Sequence, residues 1–272
     1  MNFFNILKKT LKAIYYSFKF YFKIPKHEAL LASLPRSGTH LTFGLVNLCY
    51  SMKLGFPGTV GVIDNSYSTF ARLDMPLDER SIFKNYSTPQ LWHSHLPYSK
   101  IVPLRKKFCK TIVLIREPLK GIKSFLLHEL NSNKEEKYLN NEITMEYFMK
   151  LETKYNFVSH YSNFLNSWRK RKLLDDKNQI LILDNKFITQ NTFSYIKLIN
   201  NFFEYGFSEF QMKVATEQLD IERIKKMSTE NSSRITKKEI SFSKEIENYI
   251  NKKCEKEYLK ILKIANNDVL KK

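Results

Sequence analysis

Cysteine and glycine are both scarce in this chain, and their scarcity excludes several kinds of protein. The 272 residues include only three cysteines and seven glycines. Cys49, Cys109 and Cys254 are far apart and form no C-x-x-C pair, which argues against a disulfide scaffold and against a zinc site. Reduced thiols in a cytoplasmic compartment are therefore expected. No cluster of carboxylates or histidines indicates another metal site, so none is predicted.

Acidic residues are much fewer than basic ones. The chain has 27 Asp and Glu residues against 45 Lys and Arg residues, which gives a formal net charge of +18 at pH 7. This balance favours an anionic partner, and a nucleotide, an acidic glycan, a membrane surface and nucleic acid all fit that description. The basic cluster at residues 169–172 follows a helical apolar pattern, and we interpret it as a helix end in solvent. Nucleic acid is accordingly not an expected partner.

No apolar run is long enough to cross a bilayer, and residues 1–27 form an aromatic and basic arm. Lysines interrupt every apolar run between residues 2 and 24, and no small-residue cleavage site follows them. Two interpretations stay open. The arm is either a helix lying on an anionic membrane surface, peripheral at the inner face, or a helix packed on the protein's own core. Residues 28–272 are predicted to form a single domain with a helical C-terminal part.

The stretch Leu-Ala-Ser-Leu-Pro-Arg-Ser-Gly-Thr-His-Leu at residues 31–41 combines the signals of a strand, a turn and a helix start. An apolar run at 29–32 predicts a buried strand, and helical spacing of apolar residues begins at Leu41. The free N–H groups of such a turn and the positive end of the helix dipole both attract an anion. The predicted anion-binding residues are Arg36, Ser37, Gly38, Thr39 and His40.

A second segment, at residues 110–125, repeats this design. Its β-branched and leucine run at 112–115 is typical of a strand buried on both faces of a parallel sheet. Arg116 follows that strand, Pro118 suits the first position of a helix, and Ser124 lies eight residues beyond the arginine. A guanidinium group such as that of Arg116 suits a phosphate better than the ammonium group of a lysine does, because it can bind in a bidentate manner.

A third segment, Leu-Trp-His-Ser-His-Leu-Pro-Tyr at residues 91–98, carries two histidines. A neutral imidazole is well suited to remove a proton near neutral pH. On an extended backbone His93 points to the same side as His95, so it is able to assist or replace it. Both histidines are therefore candidate bases, and whether His93 shares such a role with His95 stays open.

Three other segments predict structure without chemistry. Aromatic residues between 155 and 168 keep helical spacing and are interpreted as core, and His160 is interpreted as structural. Residues 179–184 predict another buried strand, and residues 191–203 predict a helix with one apolar face. The stretch 54–90 has no clear periodicity and is predicted to form loops and short segments over the active site, where contacts with a substrate would lie.

The phosphate-binding segments resemble those of the sulfotransferase family. A Walker A loop needs a lysine where this chain has Thr39, whereas residues 35–39 are similar to the family's 5′-phosphosulfate loop. Arg116 and Ser124 resemble the motif that grips the 3′-phosphate of 3′-phosphoadenosine 5′-phosphosulfate (PAPS). The resemblance extends over roughly residues 28–240. It implies PAPS as the donor co-substrate.

The histidine segment adds the expected chemistry. His95-Leu96-Pro97 resembles the segment that supplies the catalytic base in the cytosolic branch of the family. The resemblance implies sulfuryl transfer to an acceptor hydroxyl, with His95 as general base and Arg36 neutralising charge on the departing phosphate. A late Arg-Lys-Gly loop closes over the 3′-phosphate in the family. The corresponding region here, 231–238, has no glycine, and Arg234 is the candidate for that role.

The implied fold is α/β, with a mainly parallel central sheet flanked by helices, as in P-loop NTPase-like sulfotransferases, and with the donor at the carboxyl ends of the strands. The acceptor stays open among a glycan, a lipid-linked hydroxyl and small alcohols or phenols. One alternative function is a P-loop kinase or NTPase, which the missing lysine counts against. The other is a non-enzymatic basic protein that binds a membrane or another polyanion.

Overall fold

The computed structural model describes residues 28–53, 70–72, 91–98, 108–132, 142–175, 178–219 and 240–270. The N-terminal arm and Arg234 lie outside the described residues, as does most of the stretch 54–90. In chain order the elements are β1 (Glu28–Ser33), α1 (Thr39–Lys53), β2 (Phe70–Arg72), β3 (Leu91–Ser94), β4 (Phe108–Ile115), α2 (Pro118–Ser132), β5 (Glu142–Ile143), α3 (Met145–Tyr155), α4 (Phe157–Leu173), β6 (Ile180–Asp184), α5 (Asn185–Gln190), α6 (Thr192–Phe203), α7 (Glu209–Gln218), β7 (Ser241–Phe242) and α8 (Lys244–Leu270).

The centre of the fold is a five-stranded sheet in the order β2-β3-β1-β4-β6, and all of its described pairings are parallel. Side chains alternate between its two faces. In β1, Leu30 and Ala32 join the core formed with α2, α3, α4 and α8, whereas Ala29 and Leu31 join the core formed with α1, α5, α6 and α7. Because both faces are covered, the strands are continuous apolar runs in the sequence. The predicted α/β class, with a mainly parallel sheet between helices, is confirmed.

The register of β1 determines which residues meet at the carboxyl edge of the sheet. Leu31 lies opposite His93 in β3 and opposite Ile112 in β4. Ser33 at the end of β1 lies opposite Leu114, two residues before Arg116. The loop after β1, the histidine segment after β3 and the arginine after β4 therefore share one edge, which is where parallel α/β sheets bind ligands.

Helix α8 covers the outer edge of the sheet at β6. Asp268 Oδ2 accepts a hydrogen bond of 3.1 Å from the backbone N–H of Ile182. Lys172 Nζ forms an ion pair of 3.2 Å with Asp268 Oδ1 and also donates to the carbonyl of Ile180. These contacts satisfy backbone groups that would otherwise offer an open edge to another chain. None of the described helices is long and apolar enough to cross a membrane.

Strand β2 is a short segment within the stretch predicted to form loops and short segments, and its strand character was not predicted. Phe70, Ala71 and Arg72 pair with Leu91, Trp92 and His93 of β3. A strand of three residues is too short to display a period of two, so only its pairing with β3 distinguishes it from a loop.

Two leucines in α4 provide a matched test of this core. Leu165 is 0% exposed, whereas Leu173, in the last turn of the same helix, is 65% exposed. Leu165→Ala should lower the free energy of unfolding by about 2–5 kcal/mol, because it removes buried methyl groups and leaves a cavity. Leu173→Ala should change it by no more than about 0.5 kcal/mol. Urea unfolding of both variants measures the difference, and equal losses would contradict the described packing.

Candidate active site

The loop between β1 and α1 is a tight turn fastened to the neighbouring strand. The backbone N–H of Leu34 donates to the carbonyl of Leu114 at 3.2 Å, and the N–H of Ser37 donates back to the carbonyl of Leu34 at 3.2 Å. Arg36 has a φ of 65° and Gly38 a φ of 102°. An L side chain rarely adopts the second value, so the turn requires glycine at position 38.

Side chains beneath the loop hold Gly38 in place. A Cβ atom at this position would lie 3.2 Å from Asn185 Nδ2 and 3.4 Å from Ile188 Cδ1. The hydroxyl of Thr42 donates to the carbonyl of Gly38 at 3.0 Å, and the hydroxyl of Tyr195 lies 2.5 Å from Thr42 Oγ1. Because Thr42 already uses its proton, Tyr195 is the donor in the second bond. Burial raises the pKa of Tyr195, which keeps that proton in place.

Two arginines from distant parts of the chain meet above the loop. Arg116 Nη1 donates to the backbone carbonyl of Arg36 at 2.7 Å, and Arg36 Nε donates to Ser124 Oγ at 3.4 Å. Partial burial and, secondarily, the charge of Arg116 lower the pKa of Arg36. The positive charge of Arg116 thus acts on the side chain of Arg36, and an anion bound near both guanidinium groups would relieve that repulsion.

The loop also has polar atoms that suit a phosphate. Ser37 Oγ is fully buried and has no hydrogen-bond partner within the described part of the chain. Such an atom is costly unless a ligand satisfies it. Thr39 begins α1, where the helix dipole favours negative charge, and exposed His40 follows it. The residues at this loop therefore fit a bound phosphate group.

Both predicted histidines contact Ser33, the last residue of β1. Ser33 Oγ lies 2.9 Å from His93 Nε2 and 3.4 Å from His95 Nδ1, and it also lies 2.7 Å from Thr39 Oγ1. His93 is only 3% exposed, whereas His95 is half-buried. The two rings meet edge to face, with centroids 4.3 Å apart and an interplanar angle of 87°.

One hydrogen bond determines which ring nitrogen of His95 carries a proton in the neutral side chain. Its Nδ1 atom lies 2.7 Å from the backbone carbonyl oxygen of Ser33. A carbonyl oxygen only accepts hydrogen bonds, so Nδ1 carries a proton and donates it. In the neutral ring the lone pair then resides on Nε2, which makes Nε2 the atom able to take up another proton.

Helix α4 supports the segment that contains His95. His160 Nε2 donates to the carbonyl of His95 at 2.8 Å, Trp168 Nε1 donates to the carbonyl of Leu96 at 3.3 Å, and the N–H of Tyr98 donates to Ser167 Oγ at 2.9 Å. Sequence analysis interpreted this helix face only as core. Polar atoms at positions 160, 167 and 168, one helical face at spacings of seven and eight, are the signal that was available.

Arg116 is positioned in a similar way by Tyr161 of α4. The Tyr161 hydroxyl donates to the backbone carbonyl of Arg116 at 2.6 Å. A Cβ atom on Gly121 would lie 2.5 Å from that hydroxyl, so this close approach requires glycine. Burial raises the pKa of Tyr161 well above its ordinary value, so it remains a donor. Tyr161 is another functional residue that sequence analysis missed.

An apolar cavity of about 60 Å³ lies beside the loop. Its lining is aromatic and aliphatic apart from the ring of His160, and it consists of Pro35, Gly121, Ile122, Phe125, Tyr155, Phe157, His160 and Tyr161. Three of these residues also contact the site: Pro35 belongs to the loop, His160 binds the carbonyl of His95, and Tyr161 binds the carbonyl of Arg116. The cavity therefore adjoins both the candidate anion loop, residues 34–38 between β1 and α1, and the histidine segment, residues 91–98.

A carboxylate also lies at this edge, but its oxygens have structural partners. Asp184 ends β6 and caps α5, where its Oδ1 accepts from the N–H of Lys186 at 2.8 Å. Its Oδ2 accepts from the Tyr258 hydroxyl at 3.0 Å. Burial raises the pKa of Asp184. The side chain fastens α5 and α8 to the sheet, and His95 remains the better candidate for a base.

A family model for the sulfotransferase domain matches residues 26–271 of the chain. The chain belongs to the sulfotransferase family. The predicted family and the predicted enzyme class, a sulfotransferase, are confirmed. No curated protein sequence matches the chain.

Solved structures with a similar fold include a retinol dehydratase in complex with retinol and PAP (3′-phosphoadenosine 5′-phosphate). It shares 16% sequence identity with this sulfotransferase at a TM-score of 0.54, over 86% of this chain and 81% of the dehydratase. A mouse sulfotransferase complexed with PAP shares 15% identity at a TM-score of 0.49, over 80% of this chain and 70% of the mouse chain. The similarity to the dehydratase agrees with the parallel sheet and its helical layers.

The structure brings together most of the site residues predicted for this sulfotransferase. One edge of the sheet gathers the loop residues Arg36, Ser37, Gly38, Thr39 and His40 with Arg116, Ser124 and His95. Arg234 lies outside the described residues. Among the residues that the structure describes, no group of three His, Cys, Asp or Glu side chains is arranged to hold a metal ion.

Two glycines with positive φ provide a matched test of the loop. Gly38→Ala should weaken the binding of inorganic pyrophosphate by at least about tenfold, because it distorts the turn and pushes on Asn185. A Cβ atom added to Gly206, whose φ is 68°, would meet the flexible end of Lys53 at 3.3 Å. Gly206→Ala should cost some stability and leave pyrophosphate binding unchanged. Calorimetric titration measures both, and equal effects on binding would argue against an anion site at the loop.

Proposed function

We propose that this sulfotransferase transfers a sulfuryl group from PAPS to an acceptor hydroxyl, with His95 as the general base. The observation that carries this proposal is the hydrogen bond from His95 Nδ1 to the carbonyl of Ser33. It leaves the lone pair of the neutral ring on Nε2, and Ser33 directly precedes the loop that carries Arg36. A base and an anion loop are thus joined through a single residue.

The donor is held at two points in this proposal. Arg36, the hydroxyls of Ser37 and Thr39, and the loop N–H groups hold the 5′-phosphosulfate. Arg116 and Ser124 hold the 3′-phosphate. Both residues are hydrogen-bonded to Arg36, which supports the assignment because these bonds place the two proposed phosphate sites side by side. The retinol dehydratase of similar fold was solved with PAP, which also supports the donor. Arg234 remains the candidate for closing over the 3′-phosphate.

The chain's own contribution to the reaction is electrostatic and acid–base. The donor supplies an activated sulfuryl group, whose bond to the phosphate oxygen breaks as its bond to the acceptor oxygen forms. His95 Nε2 takes up the proton of the acceptor hydroxyl. Arg36 and the positive end of α1 stabilise the negative charge that collects on the departing phosphate. His160 and Trp168 hold the backbone of the histidine segment while this happens.

The acceptor proposed here is a hydroxyl carried on an apolar body. The cavity between Pro35 and His160 has an aromatic lining, and its volume suits a small apolar group. Retinol, which the dehydratase of similar fold binds, is an alcohol of this type. A lipid-linked hydroxyl, a phenol and a small alcohol fit this lining better than a glycan does, because sugar hydroxyls need hydrogen-bond partners when they are buried.

The enzyme is also proposed to act at a membrane surface. Residues 28–272 form the single catalytic domain, and residues 2–24 dock it at an anionic membrane surface on the cytoplasmic side. The support is the alternation of lysine and aromatic residues in the arm. An apolar acceptor dissolved in the bilayer would be reached from that position.

Removal of Arg116 tests the donor. In Arg116→Ala, the affinity for 3′-phosphoadenosine 5′-phosphate (PAP) should fall about 10- to 150-fold, because a charged hydrogen bond to the 3′-phosphate is lost. The affinity for adenosine 5′-phosphate, which lacks that phosphate, should change little. Thermal stabilisation by each ligand, with Mg-ATP beside them, measures the affinities.

Arg169→Ala serves as the matched control for this experiment. Arg169 pairs with Glu257 at 2.8 Å, so its loss affects stability without touching the nucleotide. It should leave the preference for PAP over adenosine 5′-phosphate intact. Equal weakening of both nucleotides in Arg116→Ala would contradict the assignment of Arg116, and stabilisation by Mg-ATP alone would favour a kinase.

Removal of His95 tests the base. His95→Ala should lower turnover by at least on the order of 10²-fold, the usual contribution of a positioned general base, while PAP still binds. Turnover is measured with radiolabelled donor and a panel of phenols, aliphatic alcohols and sugars. The apolar acceptors should be used in preference to the sugars.

His128→Ala is the control for the loss of a histidine. His128 is exposed on α2, outside the proposed catalytic groups, and its removal should leave turnover unchanged. If His95→Ala retained full turnover, the base would have to be sought elsewhere.

A further inference from the structure

The hydroxyl of Ser33 connects the anion loop to both histidines. It lies 2.7 Å from Thr39 Oγ1 at the start of α1, 2.9 Å from His93 Nε2 and 3.4 Å from His95 Nδ1. Ser33 is fully buried, and Thr39 and His93 are 6% and 3% exposed. These three side chains therefore form a short hydrogen-bonded chain shielded from water.

The number of protons in this chain limits its arrangements. A serine or threonine hydroxyl donates one hydrogen bond, and a neutral imidazole donates from only one of its nitrogens. His95 gives its Nδ1 proton to the carbonyl of Ser33, so it requires nothing of the Ser33 hydroxyl. Hydrogen-bond donation can then pass from Thr39 to Ser33 and from Ser33 to His93, or in the opposite direction.

We propose that phosphate bound at the loop fixes the direction of hydrogen-bond donation along this chain. Ser33 is the positioning residue through which the bound phosphate determines the tautomer of His93. This inference rests on the proposed function, in which Thr39 binds the 5′-phosphate of the donor. An ionised phosphate oxygen only accepts, so Thr39 donates to it. Ser33 then donates to Thr39 Oγ1, and His93 donates from Nε2 to Ser33 Oγ. The neutral ring keeps one proton throughout, and that proton is on Nε2.

This arrangement gives the two histidines different roles. When donor is bound, His93 Nε2 carries a proton and is engaged by Ser33, so it is not the base. The rings of His95 and Phe43 pack edge to face with His93, at centroid distances of 4.3 Å and 5.3 Å. They restrict rotation of the ring, so His93 responds by changing tautomer. His93 thereby supports the ring of His95, whose Nε2 takes the proton of the acceptor.

The tautomer of His93 is directly measurable. In ¹⁵N-histidine-labelled protein, protonated and unprotonated ring nitrogens have well-separated chemical shifts, and a His93→Gln sample assigns the signals. Addition of PAP should move His93 Nε2 to the protonated type. Adenosine 3′-phosphate, which lacks the 5′-phosphate, should not. No change with PAP, or the same change with both nucleotides, would overturn the proposal.

Two variants break the chain at different links. Ser33→Ala and Thr39→Val should each abolish the PAP-dependent change at His93, and Ser33→Ala should lower kcat roughly three- to tenfold, the effect of one neutral hydrogen bond. Ser162→Ala is the matched control, because its hydroxyl binds the carbonyl of Lys253 away from the site. It should retain the wild-type response. A response that persists in either folded chain variant would overturn the relay.

The experiment separates this inference from the function on which it rests. If PAP perturbed no histidine signal and gave no thermal stabilisation, the donor assignment itself would fail. If PAP stabilised the protein while the tautomer of His93 stayed the same, the sulfotransferase function would stand and the relay would be wrong.

Discussion

The parallel pairing of β1 with β3 on one side and β4 on the other is the constraint on which the site depends. Leu31 lies opposite both His93 and Ile112, so the ends of the three strands meet at one edge of the sheet. A slip of one residue would turn every side chain of β1 to the other face and bury the wrong set. The alternation of Ala29 and Leu31 with Leu30 and Ala32 between two cores opposes such a slip. The packing of the sheet thereby determines the distance between anion loop and histidines.

The site is assembled largely through backbone carbonyl groups. The carbonyl of Ser33 orients His95, and that of Arg36 receives Arg116. The carbonyls of His95 and Arg116 are bound in turn by His160 and Tyr161 of α4. Carbonyl positions follow from the fold, so these contacts place the candidate site side chains without depending on the identity of the residue that supplies the oxygen. Helix α4 packs in the hydrophobic core and also holds the candidate site, through His160 and Tyr161 near its start and Ser167 and Trp168 further along.

The sequence predicted those parts of the site whose residues are close together in the chain. A strand, a turn with a required glycine and a helix start are adjacent in the chain, so Arg36, Gly38 and Thr39 were recognisable as an anion loop. Arg116 and Ser124 were recognisable for the same reason. The buried strands β1, β4 and β6 were recognisable because both faces of a parallel sheet are covered, which makes their residues uniformly apolar. Strand β2 was not recognisable, because a strand of three residues is too short to display a period of two.

Tertiary structure decided the contacts between segments far apart in the chain. No local pattern links Ser33 to His93, which is sixty positions away, or Arg36 to Ser124, which is 88 positions away. The polar atoms of His160, Ser167 and Trp168 could not be assigned from sequence, because a helix face of aromatic residues indicates burial and not what lies opposite it. The sequence by itself thus determined the family, the fold class and the local motifs that are predicted to bind phosphate. The packing of α4 and the register of the sheet determined how those motifs combine, since only a folded chain brings their hydrogen-bonding groups within reach of each other.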